Sequence, residues 1–383
     1  DDPFRVLEYL PEPDYARPLR GLSPPVRARV RRRAALLYGE ERADDVTRQV
    51  ERIVRVHDAH ATPAIRAAED AFDPRGRFTE RDAVLITYGD LVVSDGRTPL
   101  RTLSDFAYVF FRGLVSTIHV LPFFPSSSDR GFSVISYEEV DPRLGSWEEI
   151  ARFRRGFRLM FDGVFNHVSA KSRRFQKFLA GDPEYGRSFR VFSSREEIDD
   201  DLLKLVLRPR TSDLLSEFAT VDGPRWLWTT FSRDQVDLNF REPKTLLEVL
   251  EILLYYVRRG ADLVRLDAVT YLWHELGTSC AHLVQTHELV RLARDVLDAA
   301  APHVALVTET NVPHADNVTY FGDGTDEAQM VYNFALPPLV LHAFVTGSAG
   351  TLSGWAAELS PPSATTAFFN VLDSHDGIGL MGA

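Results

Sequence analysis

The stretch Gly260-Ala261-Asp262-Leu263-Val264-Arg265-Leu266-Asp267-Ala268 decides the fold, because a short apolar, β-prone run ends there in a carboxylate. Six more runs of this kind occur from residue 83 onward, each followed by polar residues and a helix-like stretch: 83–88, 117–121, 157–164, 304–308, 329–334 and 367–372. Near-continuous apolar strands that alternate with helices are typical of a parallel sheet covered on both faces. Seven such units favour a (β/α)₈ TIM barrel over an open sheet.

The rest of the chain is organised around this predicted barrel. Residues 1–80 show apolar spacings of three and four over 25–38 and 41–70, which predicts a helical N-terminal extension. About seventy residues between Phe165 and Asn239 are too many for a simple connection, so we expect an inserted B subdomain at 169–240, of irregular structure, after the third strand. The catalytic barrel then comprises 81–168 and 241–383. No run after 372 matches an eighth strand, so strand eight and a C-terminal domain are expected to be missing.

Composition excludes several classes of function. The 383 residues carry a net charge of -11, which disfavours binding to nucleic acid or to anionic membranes, and no nucleic-acid motif occurs. No apolar run approaches the ~20 residues that cross a bilayer, and no signal pattern opens the chain. Cys280 is the single cysteine, so an intrachain disulfide is excluded. We expect a cytoplasmic protein; the sequence predicts no oligomeric state.

Polar residues follow four of the predicted strands. Active sites of such barrels form at the carboxyl ends of the strands. The residues at these ends are Asp162 and His167, then Asp267, then Glu309, then Asp373, His375 and Asp376. Taken singly, an Asp after a strand is usually a helix N-cap, and each histidine could be a core residue. Four matching strand ends at one rim favour a carboxylate active site.

The same segments resemble the four signature regions of the α-amylase family, glycoside hydrolase family 13. The matching stretches are 162–167, 260–268, 309–311 and 370–376, and the similarity covers about residues 83–383. The resemblance implies that Asp267 is the nucleophile, Glu309 the general acid/base and Asp376 the third carboxylate, which grips sugar hydroxyls. It also implies that Arg265 orients Asp267 and that His167 and His375 bind the glucosyl ring.

The chemistry of retention explains this set of residues. A carboxylate nucleophile must face one side of the anomeric carbon and a proton donor the other, with carboxyl groups about 5–5.5 Å apart. The donor must keep its proton near neutral pH, so we expect a raised pKa for Glu309. Asp267 must stay ionised, which the neighbouring Arg265 favours.

A narrower resemblance connects the chain with the sucrose phosphorylase subfamily. It lies in 122–132, 143–147, 235–238, 277–280 and 376–379. It implies that Asp129 and Phe132 line the glucosyl pocket and that Arg210 and Tyr271 contact phosphate, although Arg210 could equally be a surface charge on a loop. The implied substrates are an α-glucoside and inorganic phosphate, and the implied product is α-glucose 1-phosphate, without a cofactor or a metal.

Two departures narrow the choice of acceptor. Glu309 is followed by Thr310-Asn311-Val312-Pro313-His314, and the chain has the helical extension; both features are closer to the glucosylglycerate phosphorylase branch. This resemblance implies D-glycerate as acceptor, ahead of the sucrose, sucrose 6-phosphate and glucosylglycerol phosphorylases.

Three other functions remain open at this point: an α-glucosidase or transglucosylase, a metal-dependent barrel hydrolase and an inactive sugar-binding barrel. The metal-dependent alternative would use ligands among Asp162, His167, His375 and Asp376. It lacks the His-X-His or His-Glu-X-X-His pair that such sites commonly use. The intact set of three carboxylates argues against an inactive barrel.

Overall fold

A computed structural model describes residues 3–379. Its strands in chain order are β1 (Val84–Thr87), β2 (Thr117–Val120), β3 (Arg158–Gly163), β4 (His167–Ser169), β5 (Val191–Phe192), β6 (Leu215–Thr220), β7 (Gly223–Trp228), β8 (Gln235–Asp237), β9 (Leu263–Leu266), β10 (Ala305–Thr308), β11 (Met330–Asn333) and β12 (Ala367–Asn370). Its helices are α1 (Pro24–Tyr38), α2 (Glu40–His60), α3 (Pro63–Ala71), α4 (Pro99–Phe110), α5 (Trp147–Phe153), α6 (Arg173–Leu179), α7 (Asp200–Leu203), α8 (Pro243–Arg258), α9 (Val284–Ala300), α10 (His314–Asn317), α11 (Leu336–Thr346) and α12 (Gly350–Glu358). No helix of residues 3–379 is long and apolar enough to cross a membrane.

The seven predicted apolar runs form one parallel sheet in the order β1-β2-β3-β9-β10-β11-β12. This confirms the TIM-barrel prediction for seven of its strands. Arg265 on β9 is in register with Asp162 on β3 and with Val307 on β10. The residues that directly follow β9 and β10 therefore emerge at the same level of the sheet.

The central strands β2, β3, β9 and β10 are buried on both faces, which is why they are apolar nearly throughout. Alternate residues on one face form a small cluster: Met160, Leu263, Ala305, Val307, Tyr332 and Phe334. Residues between them on the strands, such as Leu159, Val264 and Leu306, join the large cluster that also contains the inner faces of the helices. The side-chain alternation of a strand thus fills the barrel interior and the helix layer at once.

The segment between β3 and α8 is more regular than expected. It contains the antiparallel pair β4-β8 and the antiparallel sheet β5-β7-β6. The expectation of an irregular structure for this insertion was in this respect wrong. The strands β5, β6 and β7 have two to six residues and are only partly buried, and the buried strands β4 and β8 have three residues each, so no continuous apolar run marks any of them in the sequence. The boundaries 169–240 of this insertion remain a prediction, as do the other domain limits.

The N-terminal region is helical, as predicted. The stretch 41–70 is divided near Thr62, whose side chain accepts a hydrogen bond from the backbone N–H of Ile65 at 3.2 Å. Pro63 then occupies the first turn of α3, where its missing N–H costs nothing. Helix α1 packs against α9, and α2 packs against both α8 and α9, on the outside of the barrel.

Candidate active site

A buried arginine joins the carboxylates at three neighbouring strand ends. The Arg265 Nη1 group donates to Asp162 Oδ1 at 2.6 Å and to Asp267 Oδ1 at 2.9 Å. Its Nη2 atom lies 3.8 Å from Glu309 Oε2. Because β3, β9 and β10 are adjacent and in register, the sheet itself brings these groups together.

The backbone after Asp267 is shaped to contact Glu309. Ala268 adopts a left-handed conformation (φ 50°, ψ 32°), which is uncommon for any residue with a Cβ. In this conformation its N–H donates to Glu309 Oε2 at 3.1 Å. The turn therefore fixes the position of Glu309 relative to Asp267.

The charges around Asp267 and Glu309 favour a state in which the two carboxyl groups together carry one proton. Burial raises the pKa of both Glu309 and Asp267, Arg265 opposes the rise, and the charge of Asp376 adds to it in both cases. Arg265 hydrogen-bonds to Asp267 and stays 3.8 Å from Glu309. The ionised form is thus better stabilised on Asp267, and the proton resides on Glu309.

A buried histidine contacts Asp162, the other hydrogen-bond partner of Arg265. His119 Nε2 lies 2.8 Å from Asp162 Oδ2, and both side chains are fully inaccessible. Burial alone would raise the pKa of Asp162, but His119 and Arg265 together hold it below its ordinary value. The sequence analysis assigned no role to His119. A histidine at the third position of a largely apolar strand was the signal that could have pointed to it.

A chain of contacts brings together the predicted pocket residues Asp129, Phe132, His167 and His375, which form one wall of the candidate site. The Phe132 ring stacks on His375 with centroids 5.1 Å apart and planes 6° apart. His167 Nε2 donates to the Phe132 carbonyl at 2.9 Å. Gln235 Nε2 donates to Asp129 Oδ2 at 2.9 Å, so Asp129 is tied to the same wall. Gln235 lay in a recognised stretch but had no predicted role.

His167 lies inside this wall. It is buried, and burial lowers its pKa, so the ring is neutral with its Nε2 proton directed to the Phe132 carbonyl. In this structure the ring fixes the loop that carries Phe132. A role in binding sugar hydroxyls remains a prediction.

The loop before Phe132 is held in an unusual conformation. Asp129 and Arg130 are consecutive residues with left-handed φ values of 53° and 47°. The Arg130 guanidinium lies over the Tyr88 ring at 4.1 Å, and Tyr88 meets the His375 ring edge-on at 6.3 Å. Two consecutive left-handed residues that are not glycine persist only where surrounding contacts hold them, as at many binding sites.

The two predicted phosphate residues are linked by an aromatic ring that the sequence did not single out. The exposed Arg210 guanidinium lies 6.0 Å from the Phe231 ring centroid, and Phe231 meets Tyr271 edge-on at 5.7 Å. Burial, with a contribution from the charge of Glu309, raises the pKa of Tyr271 to about 12. Tyr271 therefore keeps its hydroxyl proton as a donor beside the carboxylates.

Asp376 is the most open of the three carboxylates. Its side chain is 62% exposed, and its Oδ2 atom lies 3.3 Å from His375 Nε2. It follows β12, which within the described sheet pairs only with β11. Among residues 3–379, no group of three or more His, Cys, Asp or Glu side chains is arranged to hold a metal ion.

The chain belongs to the α-amylase family. The sequence model of the family described as "Alpha amylase, catalytic domain" matches residues 110–353. These residues contain β2 to β11 and the carboxylates of β3, β9 and β10. The family resemblance seen in the four motifs is thereby confirmed.

Within this family, the chain is similar to phosphorylases. It is 51% identical over 94% of its length to the glucosylglycerate phosphorylase of Allomeiothermus silvanus, of which it covers 62%. It is 49% identical over 79% of its length to that of Spirochaeta thermophila, of which it covers 50%. The crystal structure of sucrose 6F-phosphate phosphorylase from Thermoanaerobacter thermosaccharolyticum superposes with a TM-score of 0.69 at 30% identity, over 79% of this chain and 61% of that one. The chain thus spans about half to three fifths of the length of these relatives.

Proposed function

We propose that the protein is a retaining α-glucoside phosphorylase that transfers glucose between D-glycerate and inorganic phosphate. The observation that carries this proposal is the pair Asp267 and Glu309 at adjacent strand ends, with Arg265 bonded to the first and closer to it than to the second. Such a pair supplies an ionised nucleophile and a protonated acid at neutral pH. The 51% identity to a glucosylglycerate phosphorylase supports the choice of acceptor.

The first half of the reaction forms a covalent intermediate. A carboxylate oxygen of Asp267 attacks the anomeric carbon of the α-glucoside, and the bond from that carbon to the glycerate oxygen breaks. Glu309 donates its proton to the departing oxygen, which leaves a β-glucosyl ester on Asp267. Asp376 and the wall of Asp129, Phe132 and His375 would hold the glucosyl ring.

The second half returns the enzyme to its starting state. A phosphate oxygen attacks the anomeric carbon from the side that glycerate has left, and the ester bond to Asp267 breaks. Glu309, now ionised, accepts the proton of the attacking hydrogen phosphate. Two inversions give α-glucose 1-phosphate with overall retention.

Phosphate needs donors in a site that is rich in carboxylates. Arg210 would supply an exposed positive charge, and Tyr271 a hydroxyl proton that its raised pKa preserves. Phe231 contacts both residues and so links them. These roles explain how an anion would compete with water for the glucosyl ester.

The N-terminal extension supports the glucosylglycerate branch through one relative, since the match to the Spirochaeta thermophila enzyme covers 79% of this chain. The match to the Allomeiothermus silvanus enzyme covers 94% of this chain, so it includes most of residues 1–80. We propose the extension, the interrupted barrel and the 169–240 insertion as the three units of the chain. We also propose a cytoplasmic location. Disulfides stabilise proteins of oxidising compartments, and a chain with one cysteine can form no intrachain disulfide.

A phosphorolysis assay tests the proposal. The protein, extended to the length of its relatives, is incubated with glucosylglycerate, glucosylglycerol, sucrose or sucrose 6-phosphate, each with and without phosphate. Glucose 1-phosphate and free glucose are measured. We expect phosphate-dependent glucose 1-phosphate, formed fastest from glucosylglycerate.

The remaining outcomes separate the alternatives. Faster release from another donor would replace the acceptor and leave the phosphorylase intact. Free glucose without a phosphate requirement would contradict the phosphorylase and indicate a hydrolase. No glucosyl transfer to any acceptor, with a folded protein, would favour a sugar-binding barrel.

A further inference from the structure

The loop tip 129–132 is fastened on both sides by one carboxylate of the insertion. The Ser127 and Ser128 hydroxyls, which precede the tip, each donate to Asp234 Oδ2 at 2.5 Å. The Ser133 hydroxyl, which follows it, lies 2.9 Å from the same oxygen and 2.8 Å from the Asp234 carbonyl oxygen. Burial raises the pKa of Asp234, but the serine hydroxyls hold it below its ordinary value, so the carboxylate stays ionised. Hydrogen bonds to an ionised acceptor are stronger than those between neutral groups, so Asp234 holds the base of the tip firmly.

The tip needs such support because its backbone is strained. Asp129 and Arg130 have left-handed φ values of 53° and 47°, and Gly131 follows with a φ of 113°. A Cβ at residue 131 would lie 2.5 Å from the Pro122 carbonyl oxygen, so glycine is required there. Left-handed residues that carry a Cβ are unfavourable unless surrounding contacts hold them. The direction of the Asp129 side chain therefore depends on the contacts that fasten the tip.

The Asp129 carboxylate itself has one fixed oxygen. The Gln235 Nε2 group donates to Asp129 Oδ2 at 2.9 Å, and Gln235 is only 3% exposed. Within the described part of the chain, no other hydrogen bond or ion pair reaches this carboxylate. The buried amide is fixed in turn, because its Oε1 atom accepts a hydrogen bond from the Ser232 hydroxyl at 2.9 Å. Asp129 Oδ1 is thus available to a sugar hydroxyl.

The other contacts of the tip hold the neighbours of Asp129 rather than its carboxylate. The Arg130 guanidinium lies over the Tyr88 ring at 4.1 Å. The Phe132 carbonyl accepts a hydrogen bond from His167 at 2.9 Å. These contacts remain when either contact from the insertion is removed, so the tip should stay attached to the wall while Asp129 shifts.

Asp234 and Gln235 are consecutive residues, so one short segment fixes both the backbone and the side chain of Asp129. We infer that Asp234 and Gln235 are positioning residues for Asp129, and that they determine which hydroxyl of the donor sugar the pocket recognises. That Asp129 binds the donor sugar rests on the proposed function; the fastening of the loop tip does not. A binding group must be held to within about 0.5 Å of its productive position. Loss of either contact should therefore weaken the recognition of one hydroxyl and leave Asp267 and Glu309 in place.

The first variant, Asp234→Ala, removes the acceptor of the serine hydroxyls from the protein at the length of its relatives. We expect the amides of residues 127–132 to undergo hydrogen–deuterium exchange about tenfold faster than in the control Asp199→Ala. The control removes another aspartate of the insertion, whose side chain accepts a hydrogen bond from the Asp201 backbone N–H at 2.8 Å. Equal exchange in the two variants would overturn the role of Asp234.

The second variant, Gln235→Leu, removes the donor to Asp129 and keeps a side chain of similar volume. It keeps the test decisive even where Asp234→Ala does not fold. Its control is Gln176→Leu, which removes another amide of the insertion, one that donates to the Ala170 carbonyl at 2.8 Å.

A kinetic measurement then asks which sugar hydroxyl depends on the two residues. The constant kcat/KM is measured with α-glucosyl fluoride and with each of its monodeoxy forms, in the parent, in Asp129→Ala and in all four variants above. The hydroxyl that Asp129 binds is the one whose removal costs the parent about thirtyfold but costs Asp129→Ala less than about threefold. We expect the same reduced cost in Asp234→Ala and Gln235→Leu, and the parental cost in both controls and at every other hydroxyl.

Each remaining outcome decides against one claim. A cost equal to the parent's at that hydroxyl would overturn the inference. Equal changes at every hydroxyl would also overturn it, because a merely structural role would affect them all. If no hydroxyl loses its cost in Asp129→Ala, then Asp129 does not bind the donor and the inference falls. A parent without phosphorolysis would remove only the proposed function, since hydrolysis of the same fluorides would still report the cost of each hydroxyl.

Discussion

The proposed site residues fall into a largely buried pair of carboxylates and an exposed margin. Asp267 and Glu309 lie at the ends of adjacent strands and share one buried arginine. Asp376 and Arg210 border them from β12 and from the insertion, and both are exposed. The comparison teaches that the sheet fixes the atoms that would make and break bonds, whereas loops supply the groups that would select substrates.

The largest expected effect comes from the nucleophile. Asp267→Asn removes the attacking charge and leaves Arg265 paired with Asp162, so the fold should survive. We expect kcat for glucose 1-phosphate formation to fall by about 10⁵-fold, with a melting temperature close to that of the parent. Activity within tenfold of the parent would show that another group attacks the anomeric carbon.

The second variant, Glu309→Gln, removes the proton donor. We expect a loss of about 10³-fold with a glycerate leaving group, because general acid catalysis supplies that order of magnitude. With α-glucosyl fluoride the loss should be much smaller, since fluoride departs without a proton. The same fluoride given to Asp267→Asn is the matched control and should restore nothing. Equal losses of Glu309→Gln on both donors would argue against an acid role.

The third variant changes Asp376, which lies in the exposed margin. Asp376→Asn removes a carboxylate whose only ion-pair partner among residues 3–379 is His375. We expect a loss of about 10²-fold in kcat/KM, because the group would bind hydroxyls without entering the bonding changes. A loss as large as that of Asp267→Asn, measured in the same assay, would show that Asp376 is as important to the bonding changes as Asp267 and would contradict its assignment to the margin.

The sequence predicted the pair far better than its surroundings. Seven strands and the positions of Asp267 and Glu309 could be foreseen because strand periodicity and strand-end motifs are local in the sequence. The contacts of Gln235 with Asp129 and of Phe231 with Tyr271 could not, since they join elements separated along the chain. The left-handed Ala268 also left no local signal, because no glycine marks it. Long-range contacts of this kind depend on loop geometry that periodicity does not encode.

The fourth variant concerns the exposed cation. Arg210→Met should raise the KM for phosphate about tenfold, which corresponds to about 1.4 kcal/mol, and leave the rate of glucosyl-enzyme formation unchanged. Arg187→Met, at another exposed arginine of the insertion, is the control and should change neither. An unaltered phosphate KM in Arg210→Met would return Arg210 to the status of a surface charge.

The smallest expected effect is a shift of the pH profile, and it connects the two regions directly. Asp267 must be ionised, so activity is lost as pH falls through its raised pKa; Glu309 must be protonated, so activity is lost as pH rises through its raised pKa. The charge of Asp376 raises the pKa of both groups, so Asp376→Asn should move both limbs of kcat/KM to lower pH.

The shift should stay below about one pH unit and shrink in high salt, because Asp376 is exposed and its field is screened. Asp373→Asn, at the neighbouring exposed aspartate, should leave both limbs in place. If neither limb of the pH profile moves in Asp376→Asn, solvent screens the charge of Asp376 from Asp267 and Glu309. Movement of both limbs together would show that the exposed Asp376 tunes the protonation of the two largely buried carboxylates.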